Sequence, residues 1–339
     1  MADVAVAHGS TPFTSVYPWA VGFGAKYANP ATLPPGFGLS VRFSKAGTDV
    51  AVGAVGTPFV LTYPWTVGVG FGTKYSDPAT LPANNVNGVA FSPSGTDIAT
   101  THQTNPFTTA YPWTTGVGFG TKYTNPATLP SSTADGLRFS PSGADLAISH
   151  TSGANISVYP WNAGFGVKYA NPATVPTGTG TDAEFSPSGA DLAVAHAAPP
   201  FVSVYPWAAG FGTKYANPAT LPGGNGQSIA YNPSGADIAI GHELTPFVSV
   251  YPWAAGFGAK YANPVTPIGG DGRDFAFTST DIFFASIITP FILAYSWASG
   301  FGAKYANPAT LPTGEGRGIA STAAVSTGQF YYRWRGRTA

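Results

Sequence analysis

Three residue types able to do chemistry recur at fixed places in this chain. All five histidines, His8, His102, His150, His196 and His242, stand five residues after an aspartate, and Ala54 and Ser286 fill the same place in two further copies. Seven aspartates (Asp3, Asp49, Asp97, Asp145, Asp191, Asp237, Asp281) and seven lysines (Lys26, Lys74, Lys122, Lys168, Lys214, Lys260, Lys304) recur in the same way. Imidazoles beside carboxylates suggest a metal site. Zinc needs ring nitrogens at about 2.0–2.1 Å, whereas equivalent points on facing sheets lie roughly 10 Å apart, so one ion cannot be shared. The expectation is a hydrogen-bonded imidazole at the start of a turn, with no metal and no cofactor. Paired-carboxylate catalysis needs two acids in unlike surroundings, and a repeat gives each aspartate much the same ones. The aspartates are expected to accept backbone N–H bonds at a tight turn. The lysines are expected to lay their stems on aromatic surface with their heads in water.

The charged residues that do not repeat are Arg42, Arg138, Glu184, Glu243, Arg273, Glu315 and Arg317, scattered through otherwise variable positions. The repeated aromatics admit two readings. One is packing between repeats. The other is a ring of sugar-binding pockets built on Tyr17, Trp19, Tyr63, Trp65, Tyr111, Trp113, Tyr159, Trp161, Tyr205, Trp207, Tyr251 and Trp253, beside Asp and Asn, binding by avidity.

Something must position so many copies of one set. The string Tyr17-Pro18-Trp19, followed by Gly22-Phe23-Gly24-Ala25-Lys26-Tyr27, returns around Trp65, Trp113, Trp161, Trp207, Trp253 and Trp297, at intervals of 46, 48, 48, 46, 46 and 44 residues. A period in the 40s marks a propeller or solenoid array. Within one copy, Val89-Ala90-Phe91 reads as a strand (A), Ser92-Pro93-Ser94-Gly95 as a turn, Asp97 to Thr101 as strand B, Pro106 to Trp113 as strand C and Phe119 to Tyr123 as strand D. No stretch has a 3.6-residue apolar period. Four short antiparallel strands per copy make a propeller blade. The whole chain, 1–339, is therefore expected to be one all-β, seven-bladed domain, with 327–339 as a candidate tail. The glycines of Gly-Phe-Gly are expected to let adjacent blades approach.

Composition agrees and excludes some classes. Apolar residues make up 44% and net charge is zero with only 9% charged, so there is core material and no basic field for nucleic acid. Cysteine is absent, which removes disulfides and thiolate metal sites. No signal peptide is visible at the start, and the most apolar stretch, Ile282 to Tyr295, is too short to span a bilayer.

The phrase Phe-Ser-Pro-Ser-Gly followed by Asp-(Ile/Leu)-Ala, at Phe91, Phe139 and Phe185, resembles the strand-turn-strand unit of WD-repeat propellers, with Tyr-Pro-Trp standing where that family places Trp-Asp. No Asp follows the Trp and the family's Gly-His pair is missing, so its Trp-centred hydrogen-bond network is not implied. The repeated Gly-Phe-Gly-Thr-Lys-Tyr-Ala-Asn-Pro-Ala-Thr-Leu-Pro wording resembles structural proteins of bacteriophages and environmental viruses. Those resemblances imply a seven-bladed ring and a virion component, in the virion or the host cytoplasm.

Two closures of the ring compete: N-terminal strands B and C joining a C-terminal strand A, which is favoured, or C-terminal strands A, B and C joining the strand D near Phe23. With no asymmetric constellation in view, the expected function is a non-enzymatic structural or interaction propeller contacting other proteins of an assembly or a host surface. The alternative is a lectin for glycans. Around Trp297 the repeat departs most, with Phe283, Phe284, Ile287 and Ile288 replacing small residues. These four, with Tyr332, Arg333, Trp334, Arg335 and Arg337 of the tail, are the expected partner contact.

Overall fold

The second repeat shows how the sequence makes a blade. Ser92 and Gly95 close the A–B turn, where Gly95 N donates to Ser92 O and Gly95 takes φ +74°, a region open to glycine at no steric cost. Strands Val86–Phe91, Asp97–His102, Thr108–Thr114 and Gly118–Phe119 then pair in order as one antiparallel sheet. The computed structural model describes residues 2–322 and holds seven such sheets of three or four strands. The inner strands are Gly38–Phe43, Val86–Phe91, Ala134–Phe139, Gly180–Phe185, Gly226–Tyr231, Asp274–Phe277 and Gly316–Ser321. Each packs on the inner strand of the next blade until the ring closes, giving a seven-bladed propeller.

The closing blade takes its inner strand, Gly316–Ser321, from the C-terminal side and its next two, Ala2–His8 and Thr14–Trp19, from the N-terminal side. Ala5 opposes both Ala320 and Val16 across the two ladders. This is the favoured closure, and it pairs both inner edges of the last sheet.

Strand D is shorter than its sequence suggests. It is two residues in two blades, four in Phe301–Lys304, and elsewhere a single bridge such as Trp19 to Phe23. The Gly-Phe-Gly glycines serve both the neighbouring blade and their own: a Cβ on Gly70 or Gly118 would meet Tyr27 or Tyr75 of the preceding blade at 3.5 and 3.4 Å. The first glycine takes positive φ (Gly22 +146°, Gly118 +108°), and a Cβ on the second would press on the proline of Tyr-Pro-Trp, 2.9 Å away at Gly120 and Pro112.

The blades are held together by the repeated side chains. In all seven, the aspartate Oδ1 accepts the hydroxyl of the Lys-Tyr tyrosine of its own blade at 2.7–2.9 Å. In six, Oδ2 accepts the indole N–H of the next blade's tryptophan at 2.9–3.3 Å, as Asp3 does from Trp65. Asp49 instead receives the Thr115 hydroxyl at 2.8 Å. The aspartates therefore clasp blades, contrary to the expected turn role, which Ser92 fills by accepting Asp97 N. A Trp-centred network is present after all, with the acid drawn from the preceding blade. Each of the six Tyr-Pro-Trp tyrosines, and Tyr295 of Tyr295-Ser296-Trp297, adds a second clasp, donating to a threonine carbonyl of the preceding blade at 2.7–2.9 Å. Lysine heads stay at the surface, where each is also tied locally; Lys26 Nζ reaches Tyr27 O and Asn29 Oδ1.

Candidate active site on the propeller axis

The repeated candidates are consumed by this framework. Trp19, Trp65, Trp113, Trp161, Trp207 and Trp253 are at most 7% exposed, and the tyrosines Tyr17, Tyr63, Tyr111, Tyr159, Tyr205 and Tyr251 are fully buried. Their faces meet other aromatic rings edge-on, as Trp65 meets Tyr27, Phe43 and Phe71. A ring of sugar pockets would need those faces open, so the lectin reading fails on burial. The histidines are also committed. Each Nε2 pairs with a Ser or Thr hydroxyl seven residues on, at 2.9–3.1 Å. Burial lowers all five to a pKa of about 4, so they are neutral at pH 7.

The unrepeated charges behave differently. The inner strands that carry Arg42, Arg138, Asp182, Glu184 and Asp274 surround the axis, and these five side chains are at most 2% exposed. Asp182 and Glu184 are two residues apart on one strand and so share a face. The Glu184 carboxyl lies against the Arg138 guanidinium of the preceding inner strand. Asp182 accepts the backbone N–H groups of Ala183 (2.9 Å) and Ile229 (3.1 Å). Asp274 accepts Phe275 N and Ile319 N, both at 2.9 Å, and lies 3.8 Å from Arg42. Arg42 also donates to Ile319 O at 2.9 Å. The five therefore form one electrostatic body across the axis, with Glu184 sensing Arg138, Asp182, Arg42 and Asp274.

Charge counting gives that body its chemistry. Among the described residues, three carboxyl groups face two guanidinium groups, so one negative charge is unmatched in a medium that penalises it. Burial raises Asp182 to about 6, with Arg138 pulling it back. Burial raises Glu184 and Asp274 well above the usual carboxylate range. The cluster thus holds a proton close to neutrality and carries two acids of unlike surroundings on one strand face, the condition for acid–base work. In the sequence Arg42, Arg138 and Glu184 are scattered, and Asp182 and Asp274 do not stand out. The missed signal was register: Arg42, Arg138 and Glu184 occupy one inner-strand position, which is alanine in the other four blades (Ala90, Ala230, Ala276, Ala320).

Glu243, Arg273, Glu315 and Arg317 lie at the rim instead, on the face where the D–A loops meet the B–C turns. Glu243 accepts Asn225 Nδ2 (2.9 Å) and Gln227 Nε2 (2.7 Å). The expected partner contact divides. Phe283 and Phe284 are fully buried, Phe283 against Trp19 at 4.6 Å and Phe284 against Tyr295 at 5.8 Å, so the extra bulk is absorbed into the core beside the closing blade. Ile288 is 47% exposed and, with Ile287, lines a rim cleft. Tyr332, Arg333, Trp334, Arg335 and Arg337 lie outside the described residues.

No family model and no curated protein sequence matches the chain. Solved structures do. The chain is similar to the periplasmic gluconolactonase of Pseudomonas aeruginosa, with a TM-score of 0.73 at 14% identity over 96% of this chain and 100% of that one. It is similar to a Bacteroides uniformis protein provisionally assigned as a 6-phosphogluconolactonase (TM-score 0.66, 14% identity, 94% and 99% covered) and to a Lactobacillus plantarum protein (TM-score 0.69, 12% identity, 95% and 99% covered). At these identities the likeness shows the fold. It supports the propeller repeat, and neither a WD-repeat nor a viral identity. It also corrects the expectation of a non-enzymatic virion propeller or lectin. The folds matched include proteins named for lactonase activity. The ground for expecting no enzyme, the want of an asymmetric constellation, disappears at the axis.

Proposed function

We propose that the chain is a hydrolase that opens a lactone, an internal ester of a sugar acid, with the axial cluster as its catalytic centre. The observation that carries this reading is the asymmetric set on one strand face: Asp182, titrating near 6, two residues from Glu184, whose carboxyl burial raises well above the usual carboxylate range where it lies against Arg138. Ionised Asp182 takes a proton from water as the water oxygen bonds to the lactone carbonyl carbon. The Arg138 guanidinium meets the charge that develops on the carbonyl oxygen. When the ring C–O bond breaks, the leaving oxygen receives the proton held by Glu184, and the product is an open-chain hydroxy acid. The names carried by the similar folds agree with this class of substrate.

The test is proton release, followed at constant pH, from D-glucono-1,5-lactone and its 6-phosphate. Wild type accelerates release over buffer for at least one of them. Glu184→Gln lowers kcat by about 100-fold or more while keeping the far-ultraviolet circular dichroism of the wild type. Wild type no faster than buffer on both lactones contradicts the proposal.

A further inference from the structure

In a chain of near-copies, information lies where a copy departs, and two departures converge on one rim cleft. The first is the pair that follows the end of strand B. It is Ile287-Ile288 in the blade before the closure, where other blades have Gly9-Ser10, Gln103-Thr104 or Ala197-Ala198. The second is Arg317, the second residue of the closing inner strand, where other blades have Leu39, Asn87, Asp135, Thr181, Gln227 and Arg273. The cleft between them has a volume of about 490 Å³. Ile287, Ile288, Phe291 and Phe37 give it apolar walls, and Arg317 and Glu315 give it a charged end.

Arg317 is held ready there. Only 8% of it is exposed, and its guanidinium sits 5.0 Å over the Phe37 ring, which fixes the plane of the fork. Nη2 bonds Glu315 Oε2 at 3.2 Å, and neither Nε nor Nη1 has a hydrogen-bond partner. A buried guanidinium normally fills its donors, because it is a five-donor group that keeps its charge. Glu315 is a weak tenant, since its side chain is 53% exposed and it occupies one nitrogen alone.

We infer that this cleft binds an amphipathic organic acid, with the carboxylate on Arg317 in place of Glu315 and the apolar body along Ile287, Ile288 and Phe291. The site makes no use of the axial cluster. Sodium octanoate and 1-octanol, titrated calorimetrically into the full chain, separate the charged contact from the apolar one. Wild type binds octanoate roughly tenfold more tightly than octanol, as expected for a charge-assisted bond. Arg317→Met abolishes that preference and leaves octanol binding unchanged. Glu315→Gln tightens octanoate several-fold and leaves octanol alone, because it removes the competing carboxylate. Ile288→Ser weakens both. Equal affinity for the two probes in wild type, or absence of binding at millimolar octanoate, overturns the inference. If Arg317→Met fails to fold, Glu315→Gln decides, and unchanged octanoate affinity in that variant overturns it equally.

Discussion

At the scale of residues, the histidines explain one another. Where the repeat has His8, His102, His150, His196 or His242, the residue seven further on is Ser15, Thr109, Ser157, Ser203 or Ser249; where it has Ala54 or Ser286, that residue is Leu61 or Leu293. A buried hydroxyl goes with the imidazole that bonds it, and leucine fills the space when the ring is gone. His150→Ala alone leaves the Ser157 hydroxyl buried without that bond and opens a cavity, costing about 3 kcal/mol. The double variant with Ser157→Leu recovers at least about 1 kcal/mol of it, because the blade with Ala54 and Leu61 already uses that pairing. Urea unfolding of the four proteins measures the coupling, and additive losses would count against it. The pattern was present in the sequence. It stays invisible until strand pairing shows that these positions touch.

At the scale of elements, a blade's grip on its neighbour runs through one carboxylate. Asp191 accepts the Tyr215 hydroxyl at 2.9 Å within its blade and the Trp253 indole at 3.1 Å from the next. Asp191→Ala leaves both donors without their acceptor, at about 1–3 kcal/mol each. Its unfolding midpoint in urea drops accordingly, while Asp77→Ala, which breaks only the surface pair with Lys74, changes stability by under about 1 kcal/mol. Equal effects for the two would refute the clasp. Blade number, strand order and the A–B turns were legible in the sequence, because period, alternation and turn residues are local signals. The clasps were not legible, because Asp191 and Trp253 are 62 residues apart. Strand D was overread because Phe119 to Tyr123 is rich in β-forming aromatics. The ladder there is interrupted rather than lost: Gly120 N donates to Pro112 O at 2.8 Å and Tyr123 N to Ala110 O at 2.9 Å, while the Tyr123 hydroxyl turns to Asp97.

At the scale of the molecule, the buried groups set a pH response with opposing parts. The histidines, at about 4 when folded against 6.5 unfolded, take up protons on unfolding, so the stability they contribute above pH 6.5 is lost as pH falls toward 4. The three axial acids are raised, hold protons the unfolded chain releases, and act the other way in that window. Five histidines outnumber three acids. Net stability therefore falls between pH 6.5 and about 4, and the urea midpoint at pH 5 lies below that at pH 6.5. A midpoint at pH 5 equal or higher would show the histidines to be less protected than their burial implies. In His150→Ala/Ser157→Leu the slope near pH 5 is shallower by about one proton, or about 1.4 kcal/mol per pH unit.

The axis is where the whole ring contributes to one place, and it is where the repeat breaks its own symmetry with Arg42, Arg138, Asp182, Glu184 and Asp274. That these residues work on a substrate, rather than merely holding the ring closed, is the central claim. The most direct measurement is the pH dependence of lactone hydrolysis by wild type and by Asp182→Asn. With Asp182 as the base, wild-type kcat/KM rises tenfold per pH unit below about 6 and levels above it. Asp182→Asn loses that rise together with most of the rate, while its melting temperature stays the same or increases, because a buried acid that is costly to ionise has been replaced by a neutral amide. A rate independent of pH through this range, or an Asp182→Asn variant that keeps the wild-type profile, would contradict the account.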